Sequence, residues 1–279
     1  MLRKWRNSMF KKGKIFIGVV VALLAIISLS ACGKSANDSS DGDVGRIQKK
    51  GTLVVGIVSS NPPYEFHTST NGRDKFRGSD IKLVKAIAKK LGVKYQFKQM
   101  DLDGLLPALQ AKKVDMLVTS LSPTPERKKA ADFSNIYYKS TAAITVRKTD
   151  FKKFNGNTKA LSRATIAVVN NSTQEAMLQK MYPHATLKTF SKATDLALAV
   201  ANNKADAFCI DLPTTKVLLR QNPSLKQTNF SHDDGSVGAA VAMPKGTSKN
   251  LIKKVNQVIK ANKQQYSKWV IDETKYVQQ

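Results

Sequence analysis

Acidic residues, cysteines and histidines are all scarce in this chain, and each shortage narrows the possible functions. Only 20 Asp and Glu stand against 46 Lys and Arg in 279 residues, so the formal net charge is +26. The cysteines are Cys32 and Cys209, which excludes a disulfide-rich scaffold. The histidines, His67, His184 and His232, have neither metal-ligand nor catalytic-triad spacing. We therefore predict no metal site, no cofactor and no catalytic residue.

Long uncharged runs are also few, and the clearest lies near the N-terminus. Residues 15–31 (IFIGVVVALLAIISLSA) carry no charge, and residues 1–14 hold six basic residues and no acid. A basic segment, an apolar segment and small residues at the boundary are typical of a secretory signal. The sequence LSAC at 29–32 resembles the bacterial lipobox, in which the cysteine becomes the N-terminus and carries a diacylglycerol. We predict a signal peptide over 1–31 and lipidation of Cys32.

An uncleaved anchor is the alternative, because about 17 to 25 apolar residues can span a bilayer. In either case the rest of the chain is expected on the extracytoplasmic face of a bacterial cell membrane.

The positive charge invites a nucleic-acid hypothesis. Without the signal, the net charge is still about +20. The lysines are nevertheless dispersed through helical patterns such as KLVKAIAKK and LIKKVNQVIKANK, and no basic run is interleaved with aromatics. We predict a solvated basic surface beside an anionic envelope and no nucleic-acid partner.

The remaining chain alternates strand and helix patterns. Residues 32–45 are small and polar and predict a flexible tether. From residue 46, TLVVGI (52–57) predicts a buried strand, and SDIKLVKAIAKKLG predicts a helix ended by Gly92. The alternation continues through TIAVV, STQEAMLQKM and ADAFCI, where we expect Cys209 to be a buried apolar side chain. Strands alternating with helices predict an α/β fold with largely parallel sheets.

The chemistry is concentrated in TSLSPTPER (119–127). Thr124 can cap a helix, and Pro125 suits its first position. A helix N-terminus attracts anions, and an Arg in its first turn, Arg127, offers a fork that matches a carboxylate. Ser120 and Ser122 follow a buried strand and add polar groups. The alternative is a capped surface helix whose Arg127 pairs with a neighbouring acid.

These segments resemble the family 3 solute-binding proteins of bacterial ABC importers. The resemblance is carried by GIVSSNPPYEF, GSDIKLVKAIAKKLGV, DLDGLLPALQAKKVDMLVTSLSPTPERKKAADFSNIYY, IAVVNNSTQE and ADAFCID. It implies a two-lobed periplasmic-binding-protein-like fold of type II, with the lobes joined by two hinge strands. We assign residues 46–140 and 238–279 to the first lobe and 141–237 to the second.

The resemblance also implies the ligand groups. Arg127, with Ser120 and Ser122, would bind the carboxylate of an amino acid from the first lobe. Thr173, at the start of a helix that Ser172 and Glu175 can cap, would bind it from the second lobe. Asp211 would take the α-ammonium group, and a helix cap is the alternative role for it.

The side-chain pocket departs from the family pattern. Asn61 stands where the family usually has an aromatic residue, and Val58 stands where members that bind cationic amino acids carry an Asp. Leu102 replaces the second aromatic wall. Glutamine, another neutral polar amino acid or a cystine-like molecule is therefore favoured over lysine or arginine. The full predicted set adds three residues: Tyr64, Thr119 and Gln174.

The predicted function is capture of a free polar amino acid for a membrane permease by a monomeric lipoprotein. Dehydratase-like enzymes and sensor components of the same fold are the alternatives. An enzyme would need a paired general acid and general base in the cleft. The candidate acids Glu65, Asp101 and Asp103 show no such partner in the sequence. A sensor would need a further membrane helix after residue 31.

Overall fold

The computed structural model describes residues 42–70, 72–233 and 237–277. The predicted signal peptide, Cys32 and the first part of the predicted tether lie outside these residues. No helix in the described ranges is both long enough and apolar enough to cross a membrane.

The chain builds one five-stranded sheet, leaves it for a second, and then returns. The elements before the first crossing are α1 (Gly42–Lys50), β1 (Thr52–Ile57), β2 (Phe66–Thr70), β3 (Arg73–Arg77), α2 (Ser79–Leu91), β4 (Lys94–Gln99), α3 (Leu102–Gln110), β5 (Met116–Leu117), α4 (Pro125–Ala130) and β6 (Ala131–Tyr138). The elements of the second lobe are β7 (Ala142–Arg147), a 3-10 turn (Lys148–Asp150), α5 (Phe151–Phe154), α6 (Thr158–Leu161), β8 (Thr165–Val169), α7 (Thr173–Met181), β9 (Thr186–Phe190), α8 (Ala193–Ala201), β10 (Ala207–Asp211), α9 (Leu212–Gln221) and β11 (Leu225–His232). The elements after the return are β12 (Ala239–Pro244), α10 (Lys249–Glu273) and a 3-10 turn (Thr274–Tyr276).

The two sheets are built alike. The first has the order β4-β1-β5-β12-β6, in which β1 runs parallel to β4 and β5, and β12 runs antiparallel to its neighbours. The second has the order β11-β7-β10-β8-β9, in which β8 runs parallel to β9 and β10, and β7 is antiparallel. Each sheet therefore has three mutually parallel strands and two further strands that add antiparallel pairs. These further strands are the ones next to the points where the chain passes between the sheets. The predicted α/β class with two lobes and two connections is confirmed.

Residues 139–141 connect β6 of the first sheet to β7 of the second, and residues 233–238 lie between β11 and β12. Each lobe has its own apolar core on the faces of its sheet. Cys209 is buried in the core of the second lobe, as predicted. The described residues therefore form two packed bodies, and the chain passes from the first to the second and back again.

The helix α2 forms where the sequence predicted it. Ile81, Val84, Ile87 and Leu91 are buried on one face of it, and Gly92 ends it with a left-handed φ of 71°. Burying such a stripe against a sheet is the main source of stability for a helix of this length.

The predicted tether is too long at its C-terminal end. Residues 42–45 belong to α1, and Val44 is only 2% exposed because it packs with Ile47 in the core of the first lobe. The side chain of Asp43 accepts a hydrogen bond from the Ser248 amide at 2.7 Å, which ties α1 to the start of α10. The first lobe therefore includes Gly42–Lys50, and the polar composition around Val44 and Ile47 concealed the helix.

Candidate ligand-binding site

A cavity of about 110 Å³ lies between the lobes. One water needs roughly 10–15 Å³ in the same measure, so this space suits a small molecule. All ten residues predicted to bind a ligand line it, which are Asn61, Tyr64, Leu102, Thr119, Ser120, Ser122, Arg127, Thr173, Gln174 and Asp211. The lining also includes polar residues that the sequence did not predict as ligand contacts, namely Ser60, Tyr138, Ser140, Ser172 and Ser191.

Arg127 is placed by the helix α4. The Thr124 side chain caps this helix by accepting a hydrogen bond from the Arg127 amide at 3.3 Å, and Pro125 occupies its first position. The Arg127 guanidinium donates to the Ser122 carbonyl oxygen at 3.0 Å and to the Asn171 carbonyl oxygen of the second lobe at 2.8 Å. The guanidinium is thus held at the lobe boundary, where it borders the cavity.

The second lobe presents the start of α7. The Ser172 side chain accepts from the Glu175 amide at 3.1 Å, and the Glu175 carboxylate accepts from the Asn171 amide at 2.7 Å. This is a capping box displaced by one residue, because Glu175 reaches Asn171 instead of Ser172. It leaves Thr173 and Gln174 in the first turn, against the cavity.

Asp211 both caps a helix and borders the cavity. Its carboxylate accepts hydrogen bonds from the Thr214 amide at 3.1 Å and the Thr214 hydroxyl at 2.9 Å, which caps α9. The Tyr64 hydroxyl donates to the same carboxylate at 2.8 Å across the lobe boundary. Burial raises the pKa of Asp211, while these hydrogen bonds lower it in part. Burial, together with the charge of Asp211, raises the pKa of Tyr138 to about 12.

Further hydrogen bonds cross between the lobes around the cavity. The Thr214 hydroxyl lies 3.5 Å from the Asn61 side-chain oxygen, and the Ser60 and Thr194 hydroxyls are 3.4 Å apart. At a more distant point, Arg220 donates to the Thr274 carbonyl oxygen. The structure is therefore a closed arrangement of the two lobes.

Of the charged side chains that the structure places in the cavity wall, one is cationic, Arg127, and one is anionic, Asp211. The predicted side-chain pocket contributes Val58, Asn61 and Leu102, which are neutral. The lining thus presents one cationic and one anionic side chain, on opposite lobes.

Two buried carboxyl groups lie directly behind the site, and the sequence did not predict their pairing. Glu65 and Asp80 are both 0% exposed and neither lines the cavity. The sequence showed no partner for Glu65 in the cleft, and the partner that the structure gives it, the hydrogen-bonded carboxyl group of Asp80, lies outside the cavity. Gly78 allows the backbone before Asp80 to approach the backbone before Glu65. Its φ is 138°, and a Cβ there would lie 1.9 Å from the Tyr64 carbonyl oxygen.

Two α/β lobes with a cavity between them that holds one cationic and one anionic side chain define a solute-binding protein of the two-lobed class. The chain belongs to the bacterial extracellular solute-binding proteins, family 3, whose family model matches residues 53–271.

Curated relatives and solved structures agree with this assignment. The arginine-binding extracellular protein ArtP of Bacillus subtilis is 29% identical over 88% of this chain and 92% of its own length. The ABC transporter glutamine-binding protein GlnH of the same organism is 28% identical over 92% of this chain and 97% of its own. The crystal structure of the amino acid ABC transporter substrate-binding protein AbpA from Streptococcus pneumoniae, bound to L-arginine, superposes with a TM-score of 0.79 at 29% identity, covering 84% of this chain and 98% of that one.

Proposed function

We propose that this protein is an extracytoplasmic substrate-binding lipoprotein of an ABC importer that captures a free, neutral polar amino acid and delivers it to a membrane permease. The observation that carries the proposal is that one guanidinium, that of Arg127, and one carboxylate, that of Asp211, lie on opposite walls of the same cavity. The relatives named above bind amino acids, and two of the three are named as parts of ABC transporters.

In this mechanism the two lobes share the recognition of the amino-acid backbone. Arg127, Ser120 and Ser122 of the first lobe hold the carboxylate, and Thr173 adds donors from the start of α7. Asp211 of the second lobe holds the α-ammonium group. Neither lobe satisfies both charges alone, so the ligand stabilises the closed state by its differential affinity. The permease would then recognise the closed form.

The neutral lining at the side-chain end supports the substrate class. Asn61 and Gln174 offer amide groups, Ser60 and Ser191 offer hydroxyls, and Leu102 offers apolar contact. Once Asp211 is bound to the α-ammonium, a guanidinium or ammonium side chain finds no second carboxylate in the described lining. A buried charge without a partner is costly, so an amide such as that of glutamine fits better than arginine.

No catalytic role is proposed for this site. General acid–base chemistry needs a donor and an acceptor that reach the substrate. The acidic pair that the structure contains, Glu65 and Asp80, lies behind the wall and not in it.

A thermal-shift screen against the twenty amino acids tests the function. A ligand at 100 times its Kd should stabilise the native state by about 2.7 kcal/mol, and each kcal/mol raises the Tm by roughly 2–4 °C at this size. L-glutamine or another neutral polar amino acid should give the largest shift. L-glutaminamide and N-acetyl-L-glutamine are matched controls, because each lacks one backbone charge, and neither should shift the Tm. A larger shift with arginine would overturn the neutral class, and no shift with any amino acid would overturn the function.

The lipid anchor is tested separately. Cys32→Ser should abolish incorporation of a labelled fatty acid and release the protein from the membrane fraction, because the thiol is the proposed attachment point. A single acyl chain binds membranes only marginally, so a diacylated cysteine is needed for stable anchoring. Cys209→Ser is the matched control and should keep its label. Unchanged labelling of Cys32→Ser would exclude the anchor at this residue.

A further inference from the structure

The wall segment Thr119–Ser120 is held from behind the cavity. Ser120 has a φ of 51°, a left-handed conformation that is unfavourable for a residue with a side chain. Its amide donates to Asp80 Oδ2 at 2.6 Å, and the neighbouring Thr119 hydroxyl donates to Glu65 Oε1 at 2.6 Å. Two residues of the cavity wall therefore depend on two carboxyl groups that do not themselves reach the cavity.

Asp80 is surrounded by donors. Besides the Ser120 amide, the Tyr266 hydroxyl donates to it at 2.6 Å and the Tyr137 hydroxyl at 3.2 Å. A group that only accepts is satisfied best as the carboxylate. In the described part of the chain, no lysine, arginine or histidine forms a hydrogen bond or ion pair with Asp80 or Glu65. The negative charge of Asp80 is thus balanced by hydrogen bonds alone.

Glu65 has the opposite environment. Its Oε1 accepts from Thr119 and from the Asn61 side chain at 3.4 Å, while among the described residues no hydroxyl, amide or cationic donor reaches its buried Oε2. Burial and the charge of Asp80 raise the pKa of Glu65 well above its ordinary value, and burial raises the pKa of Asp80 to about 6. The hydrogen bond between the two carboxyl groups raises the pKa of Glu65 and lowers that of Asp80, so Asp80 ionises first as the pH rises and the remaining proton stays on Glu65.

We propose that Glu65 and Asp80 form a one-proton carboxyl pair that positions the Thr119–Ser120 segment for the ligand, so that ligand affinity depends on the protonation state of this pair. The inference rests on the proposed function, because it concerns the affinity of the same cavity. Both residues are positioning residues, since they act on the ligand through Thr119 and Ser120.

The sign of the pH effect follows from the geometry. Acidification through about pH 6 protonates Asp80, which replaces the charged acceptor of the Ser120 amide with a weaker neutral one. Affinity should fall as the pH falls. Three tyrosines face the pair, Tyr64, Tyr137 and Tyr266, and they stay protonated because their pKa values are raised well above the ordinary value. Asp211, on the cavity wall, is the acid from which the effect must be distinguished.

Calorimetry from pH 5 to 7.5 tests the inference, with L-glutamine as the probe or, if it does not bind, the amino acid that gives the largest thermal shift. The wild-type Kd should rise roughly tenfold between pH 7.5 and pH 5. Asp80→Asn should bind roughly tenfold more weakly at pH 7.5, because a charged hydrogen bond becomes neutral, and its Kd should be flat with pH. Glu65→Gln imitates the protonated side chain, so its Kd at pH 7.5 should stay within about threefold of the wild-type value. Its Kd should still rise as the pH falls, because Asp80 is unchanged. If the Kd of Asp80→Asn rises at low pH as the wild-type Kd does, the pH dependence belongs to Asp211 and the inference is overturned.

Two measurements without ligand separate this inference from the proposed function. The Ser120 amide resonance of serine-labelled protein should titrate near pH 6 in wild type and not in Asp80→Asn. A carboxyl group whose folded pKa is raised stabilises the fold fully only below its ordinary pKa, and that stability is lost as the pH rises. The Tm of Glu65→Gln should therefore increase relative to wild type as the pH rises above about 4.5. A flat Ser120 resonance would overturn the pair even if amino acids bind, and a titrating one would support it even if none binds.

Discussion

Replacing Arg127 with alanine should weaken amino-acid binding by about 2–5 kcal/mol, because the ligand carboxylate would be enclosed without its cationic partner. The substitution also removes the hydrogen bond from the guanidinium to the Asn171 carbonyl oxygen of the second lobe, so the closed state loses a contact of its own. Arg127 is half-buried and the cap of α4 uses only its backbone amide, so the fold should survive. Calorimetry gives the affinity, and a thermal melt verifies the fold.

Two variants make the Arg127 test specific. Arg127→Lys keeps the charge but loses the two parallel hydrogen bonds of the fork, and it should recover only part of the affinity. Lys128→Ala changes the adjacent exposed cation of the same helix and should bind like wild type. Near-native affinity in Arg127→Ala would return this residue to a structural role between the lobes.

The sequence predicted the regular parts of the fold because these depend on local patterns. The period of apolar residues in α2 matches one buried face, and the β-branched run TLVVGI becomes the interior strand β1, between β4 and β5. The cap of α4 at Thr124 and the cap of α7 at Ser172 also follow from adjacent residues. The ten predicted ligand residues came mostly from the family resemblance, and the structure brings them around one cavity; their roles as ligand contacts remain a proposal.

The features that the sequence did not predict depend on contacts between distant segments. Val44 and Ile47 look too sparse for a helix until α10, two hundred residues later, covers them. Glu65 and Asp80 lie in separate motifs, and only the close approach at Gly78 places their carboxyl groups together. The hydrogen bond between Arg127 and Asn171 exists only because the lobes meet. Long-range packing of this kind leaves no periodic signal in the chain.

Asp211 shows why two interpretations of one residue need not compete. The sequence left open whether it binds the ligand ammonium or caps a helix. The structure shows that it caps α9 through Thr214 and borders the cavity at the same time. A carboxylate has four acceptor sites on its two oxygens, and Thr214 and Tyr64 occupy three. Under the proposed function, the remaining acceptor capacity takes the ammonium group, and the cap orients the carboxylate toward it.

Asp211→Asn separates these roles, because asparagine caps helices about as well as aspartate but has no charge. The variant should therefore melt close to wild type and bind the amino acid about 2–5 kcal/mol more weakly, since the ligand ammonium would be buried without its counter-ion. Asp211→Ala should lose the affinity and, in addition, about 1 kcal/mol of stability with the cap. Calorimetry gives the affinity of each variant, and thermal melts give the stability of each. Asp211→Asn could instead bind like wild type while Asp211→Ala loses only stability. In that case Asp211 is a helix cap that borders the cavity without binding the ligand. The ammonium group must then be held by neutral acceptors, such as the hydroxyls and carbonyls of the cavity wall.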